Sequence, residues 1–354
     1  MLRTTLCTIV VVITSGLCGA ADSHEPLALV EKGGRWSFIN AKGERVFGRD
    51  FDLAGEFSEG LAPVEISGQW GYIDGKGKTI IEPQFAGTGS FSEGLASVKI
   101  AGKEGFIDKS AQVVIQPAFD LAWPFTCGFA MVELDQKRGY INRQGKIVVE
   151  LQFEMAYPFS EGLAYVRVNG KKEVMDPAGR KVIEVDEGAS TFSEGLAAAE
   201  INGKWGFIDT AGNWVISPRF GGAYNFSERL AYVSEDPTHS SFIDRSGKVV
   251  IRRPRGAVGC EGLAFSEGLT VVTVKGRCGF MDRNGKIAFA TPLKPGTLVE
   301  SFSEGLARFW TRDSPPRWGY INKSGKVAIA PRFDSASDFF LPSSSMRMYR
   351  CNRN

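Results

Sequence analysis

The sequence predicts an all-β protein: a tandem array of about nine three-stranded β-meanders, each near 34 residues long. Three observations predict it. The phrase Phe-Ser-Glu-Gly-Leu-Ala recurs from Phe57, Phe91, Phe159, Phe192 and Phe302, with altered copies at Phe125, Phe226 and Phe265 and a remnant at Phe339. Successive phenylalanines lie 34, 34, 34, 33, 34, 39, 37 and 37 residues apart. A second phrase keeps step: Trp36-Ser-Phe-Ile-Asn, Trp70-Gly-Tyr-Ile-Asp, Glu104-Gly-Phe-Ile-Asp, Arg138-Gly-Tyr-Ile-Asn, Trp205-Gly-Phe-Ile-Asp, Cys278-Gly-Phe-Met-Asp and Trp318-Gly-Tyr-Ile-Asn. Altered copies fall at Lys172 and Ser240. Third, no long helical period appears after the N-terminal segment.

Each element of the unit follows from local chemistry. The stretch Ala96-Ser-Val-Lys-Ile alternates apolar and polar residues, as a half-buried strand requires. A tight turn follows, such as Asn202-Gly203 or Ala101-Gly102, where the backbone must take positive φ. The aromatic strand comes next, for example Trp205 to Ile208. A turn of the form Asp-x-x-Gly-Lys closes it, with Asp74, Asp108, Asp209, Asp244 and Asp282 placed to cap backbone N–H groups. The third strand carries Val/Ile pairs and is expected to stop at a proline: Pro83, Pro117, Pro218 or Pro331. A link of about ten residues leads to the next Phe. So small a unit buries too little apolar surface to offset the entropy of ordering it, so neighbours must share a core. An open superhelical, solenoid-like array is favoured over a closed propeller-like ring, although the pairing between units is not written in the sequence.

The ends and the bulk composition narrow the class. Arg3, the apolar run Leu6 to Ile13 and the small residues ending at Ala20 and Ala21 form a signal peptide over residues 1–21. The array is then expected over residues 22–345, its first and last units degenerate, with a tail at 346–354. The expected location is periplasmic or secreted. No segment is long and apolar enough to span a membrane. Net charge is +2 with both signs interspersed, which excludes the concentrated basic patch of a nucleic-acid binder. Beyond the signal, four cysteines remain: Cys127, Cys260, Cys278 and Cys351. Cys260 and Cys278 are the expected disulfide pair by proximity, and none of the four has zinc-site spacing.

The joint pattern, Phe-Ser-Glu-Gly-Leu-Ala followed by Gly-Lys-Trp-Gly-Phe-Ile-Asp and Gly-x-x-Val-Ile, closely resembles the WG-repeat proteins of bacteria. Residues 193–218 are the cleanest copy, and the resemblance spans roughly residues 30–340, although Trp-Gly itself stands only at Trp70, Trp205 and Trp318. It implies a β-rich tandem array, often exported, with no established general activity.

Candidate chemistry is sparse. Two histidines, His24 and His239, leave nothing for a nucleophilic triad or a histidine metal site. Every acidic candidate recurs along the array, whereas a single active site should break the pattern, so no enzyme and no cofactor are expected. Glu59, Glu93, Glu161, Glu194, Glu228, Glu267 and Glu304 would form a ladder in stacked units. Bonding to local backbone N–H groups is favoured for them over a cation stripe. The position of the Trp accepts Glu104, Arg138, Lys172, Ser240 and Cys278 in other units, so it is expected to be at least partly exposed. The candidate binding residues are therefore Trp70, Trp205, Trp318 and Arg138. The expected function is a non-enzymatic exported scaffold offering an extended β surface to a protein partner. The alternative is glycan or cell-wall binding through the aromatic residues.

Overall fold

The computed structural model describes residues 25–185, 188–236, 239–252 and 262–344. The expected signal peptide, Cys260 and Cys351 lie outside the described residues. Among the described residues, every regular element is a strand, gathered into nine small antiparallel sheets. Blade 2 shows the plan: Leu53–Ala54, Leu61–Ile66, Gln69–Asp74 and Thr79–Phe85 pair in sequence order. The link before each Phe, read as unpaired, thus supplies a two-residue fourth strand in most blades.

The array is closed, which corrects the expectation of an open one. Blade 1 consists of Leu27–Lys32 and Arg35–Asn40 from the start of the chain and Ser335–Ala336 from its end. Leu27 and Phe340 exchange backbone hydrogen bonds of 2.9 and 2.8 Å, and the Leu29 N–H donates to Ser337 Oγ. The two degenerate end units are therefore halves of one blade. Nine blades in a ring make a nine-bladed β-propeller, with no orphaned sheet face at either end of the array.

The core sits between blades. All nine repeat phenylalanines, from Phe57 to Phe339, are buried. Each packs on the aromatic strand of the blade before it: Tyr72 on Phe91 at 4.8 Å between ring centroids, Phe106 on Phe125 at 4.8 Å, Phe280 on Phe302 at 4.6 Å and Tyr320 on Phe339 at 4.9 Å. Where that aromatic is Tyr, its hydroxyl crosses the joint too. Tyr72 donates to Gly89 O, Tyr140 to Tyr157 O and Tyr320 to Ser337 O, at 2.6–2.7 Å. Burial pushes all three phenols well above their usual range, so they remain protonated donors.

The prolines were expected to end the third strand. Instead Thr79–Phe85 runs through Pro83, and Val113–Phe119, Trp214–Phe220 and Val327–Phe333 run through Pro117, Pro218 and Pro331. These are edge strands with irregular register, where a missing N–H is tolerated. The bulge also explains the glycine after Trp. Trp70 pairs with Phe85 but Tyr72 with Ile81, so the third strand folds its extra residues over Gly71. A Cβ there would lie 2.4 Å from Ile81 O and 2.7 Å from Pro83 N. In blade 5, Glu173 replaces that glycine, and Lys172–Val185, Glu173–Glu184 and Val174–Ile183 pair one to one without the bulge. The Asx turns form as expected: Asp74 Oδ1 accepts from the N–H of Lys76 and of Lys78, both at 2.9 Å.

Candidate functional site

The Ser-Glu-Gly-Leu run is a two-residue hairpin turn, with Glu59 at φ 53° and Gly60 at φ 88°. Both central residues of such a turn need positive φ, so Glu carries backbone strain in every copy. Its side chain shows what offsets the strain. Glu59 Oε2 accepts from the N–H of Gly94 at 3.0 Å, Glu161 from Gly195 at 2.7 Å, Glu228 from Gly268 and Glu267 from Gly305 at 3.1 Å. The N–H groups bonded belong to the next blade, not to the glutamate's own turn. Basic side chains add to the joint: Lys109 lies 3.3 Å from Glu59 and Lys323 3.0 Å from Glu267.

The serine of the phrase works beside it. Ser58 Oγ donates to Phe91 O, Ser92 to Phe125 O, Ser160 to Phe192 O and Ser303 to Phe339 O, at 2.6–2.8 Å. The turns thereby link blade to blade in a belt. The belt closes where the N–H groups of Glu59 and Gly60 donate to Ser344 O and Pro342 O. The glutamates are structural, and among the described residues no group of three His, Cys, Asp or Glu could hold a metal ion.

The position of the Trp is half-buried in every unit but one, Cys278 being fully buried. Trp70, Trp205 and Trp318 each pack one side against a core cluster, and they lie in blades 2, 6 and 9. The structure does not bring them together. Trp318 stacks on Trp310 at 6.4 Å and carries the Arg308 guanidinium at 5.1 Å. Arg138 Nε donates to Glu133 Oε2 at 2.9 Å, and its guanidinium covers Trp123 at 5.2 Å. Glu104 Oε2 accepts from the Ala122 N–H at 2.7 Å. Partial burial raises the Glu104 carboxyl above its usual range, against the pull of that N–H and of Lys99. Cys278 is disulfide-bonded, and its expected partner Cys260 lies outside the described residues.

In two units that lack the Trp, the same position lines a groove between consecutive blades. Behind Glu104 it measures about 290 Å³. Behind Lys172, between blades 5 and 6, it reaches about 460 Å³ and is lined by Tyr157, Tyr165, Arg167, Lys172, Ser190 and Thr191 above an apolar floor. The two tyrosine rings lie 5.6 Å apart, and Arg167 Nε is 3.1 Å from Glu154 Oε2. Sequence reasoning missed this groove. Its signal was Lys172-Glu173, which departs at both positions from the Trp-Gly of Trp70, Trp205 and Trp318.

Closed blades, inter-blade belt and repeated aromatic joints define the protein as a nine-bladed β-propeller of tandem sequence repeats. The model of the WG-containing repeat matches residues 36–70, 70–103, 105–137, 139–171, 174–205, 205–236 and 318–340. The chain belongs to that family. No curated protein matches it in sequence. Among solved structures, the crystal structure of a eukaryotic initiation factor is similar in fold, with a TM-score of 0.64 at 12% identity over 91% of this chain and 100% of that one. Dihydro-heme d1 dehydrogenase NirN in complex with DHE matches with a TM-score of 0.49 at 13% identity, over 91% and 76% of the two chains. AztD from Citrobacter koseri matches with a TM-score of 0.45 at 11% identity, over 89% and 95%.

Proposed function

We propose that this chain is an exported, non-enzymatic propeller that binds a protein partner in the groove between blades 5 and 6. One observation carries the reading. Here Lys172-Glu173 replace the Trp-Gly pair, and the groove exchanges an indole for an open site with paired tyrosines, two cationic stems and two hydroxyls. Tyr and Arg over an apolar floor are the residue types enriched at protein interfaces. Export rests on the residue 1–21 pattern. The glycan alternative has less support, because each candidate Trp spends one face on its own core.

The test is crosslinking in the exporting cell with a photoreactive residue at Thr191. A defined protein adduct that disappears in the double variant Tyr157→Ala/Tyr165→Ala supports the proposal. No adduct, together with retention of the purified protein on insoluble polysaccharide, would replace it with the glycan reading.

A further inference from the structure

We propose that the seam of the ring holds a binding site for a small polyanion bearing phosphate or carboxylate groups, separate from the groove between blades 5 and 6. Between blades 9 and 1 lies a cavity of about 440 Å³, lined by Lys32, Arg35, Ser37, Arg45, Asp50 and Arg332. That volume falls within the range of small-molecule sites. A local departure from the repeat accounts for it. Ser37 follows Trp36 where Gly71, Gly206 and Gly319 follow Trp70, Trp205 and Trp318. At those glycines a Cβ would come within 2.4–2.7 Å of a carbonyl oxygen of the third strand. A strand cannot fold over Ser37 in the same way. Residues 45–51 instead meet blade 1 through single bridges, Ile39 with Arg45 and Trp36 with Phe51. The cavity lies between this segment and the outer strand of blade 9, Val327–Phe333.

Charge and donors name the ligand class. Arg35 pairs with Asp52 and Arg45 with Asp50, which offsets two of the four cations. Lys32 makes no ion pair among the described residues, and Arg332 meets no carboxylate. Asp334, next along from Phe333, is taken by Arg317 and by the Gly33 N–H. Two positive charges are therefore left without a counter-charge at one cavity, which disfavours a cation and gives a neutral sugar no advantage. Arg332 is set in place beforehand: its guanidinium lies over Phe333 at 5.1 Å and donates to Gly43 O at 2.6 Å. Its other N–H groups keep the planar fork that matches phosphate or carboxylate oxygens. Ser37 supplies an independent sign. It is only 7% exposed, yet its hydroxyl makes no hydrogen bond among the described residues. A buried hydroxyl without a partner, at the wall of a cationic cavity, is satisfied by an anion that accepts from it.

The experiment is titration calorimetry of the purified protein with pyrophosphate and with citrate, at about 0.15 M ionic strength, where loose surface attraction is screened. At least one of the two should bind at a single site, and neutral glucose should not. Tighter binding of pyrophosphate assigns a phosphate ligand, and tighter binding of citrate a carboxylate one. Lys32→Gln, a change at an exposed side chain, should weaken binding about tenfold, and Ser37→Ala about threefold. Lys204→Gln, at an exposed lysine of blade 6 away from the seam, should bind as the wild type does. Failure of both anions to bind, or equal losses in Lys32→Gln and Lys204→Gln, would overturn the proposal.

Discussion

Ser58 Oγ donates a 2.6 Å hydrogen bond to the carbonyl of Phe91, thirty-three residues further on and one blade away. The repeated phrase therefore encodes the joint between units more than the unit itself. Its Phe fills the interface, its Ser bonds the next Phe carbonyl, its Glu bonds the next Gly amide, and its Gly permits the turn. One copy lacks the bond. The Oγ1 of Thr126 is buried without a hydrogen-bond partner. Replacing Ser92 by Ala should leave the Phe125 carbonyl unsatisfied and cost about 1–3 kcal/mol in chemical denaturation. Thr126→Ala should cost less than about 1 kcal/mol, because no bond is lost there. Equal losses would show that the serine acts through packing alone.

Two glycines one strand apart should respond differently to the same change. Gly71→Ala places a Cβ against the backbone of Ile81, Glu82 and Pro83 at 2.4–2.9 Å, and backbone cannot move aside cheaply. It should lose roughly 2–4 kcal/mol, or fail to accumulate as folded protein. Gly60→Ala meets nothing within 4 Å and suffers only the left-handed backbone at φ 88°, a cost of about 1 kcal/mol. Thermal melting of the pair separates crowding from conformational strain.

Much of this architecture was legible in the residues. The Asx turns and the Asn-Gly hairpins depend on neighbours a few residues away, and the buried Phe was readable from its invariance along the period. Ring closure was not, because Leu29 meets Ser337 across 308 residues and both sides of that pairing look like worn repeats. The role of Gly71 was hidden for a different reason. Its φ is ordinary, and only the bulge in the following strand demands the missing side chain. The glutamates were expected to bond local backbone amides; they do bond amides, but those of the next blade, which the sequence could not say. The groove at Lys172 needed the fold to turn a substitution into a space.

The Asx turns give a pH dependence with a definite sign. A hydrogen bond from Ser110 Oγ, with the Gln112 amide, holds the Asp108 carboxyl below the usual range, and Ser246 does the same for Asp244. A depressed folded pKa contributes stability that is complete above the unfolded value, about 3.9, and is lost as pH falls through the folded one. Asn142 and Asn322 make the same backbone bonds in blades 4 and 9. The double variant Asp108→Asn/Asp244→Asn should therefore keep its turns and show a shallower fall of Tm between pH 4 and pH 2. An unchanged slope would contradict the assignment.

Glu104 behaves in the opposite sense. Its carboxyl is raised chiefly by burial, so the charged form is the less stable one in the folded chain, and stability falls as pH rises through its folded pKa. Glu104→Gln keeps an acceptor for the Ala122 amide without the charge. At pH 7 its Tm should match or exceed that of the wild type, and melting at pH 4 and pH 7 checks it.

Hydrogen exchange at the seam tests the closed ring most directly. The amides of Leu27 and Phe340, which bond each other's carbonyls from opposite ends of the chain, should exchange as slowly as strand amides in blade 3. Exchange of both at the rate of an unstructured peptide, while blade 3 stays protected, would mean that the array is open and the central claim is wrong.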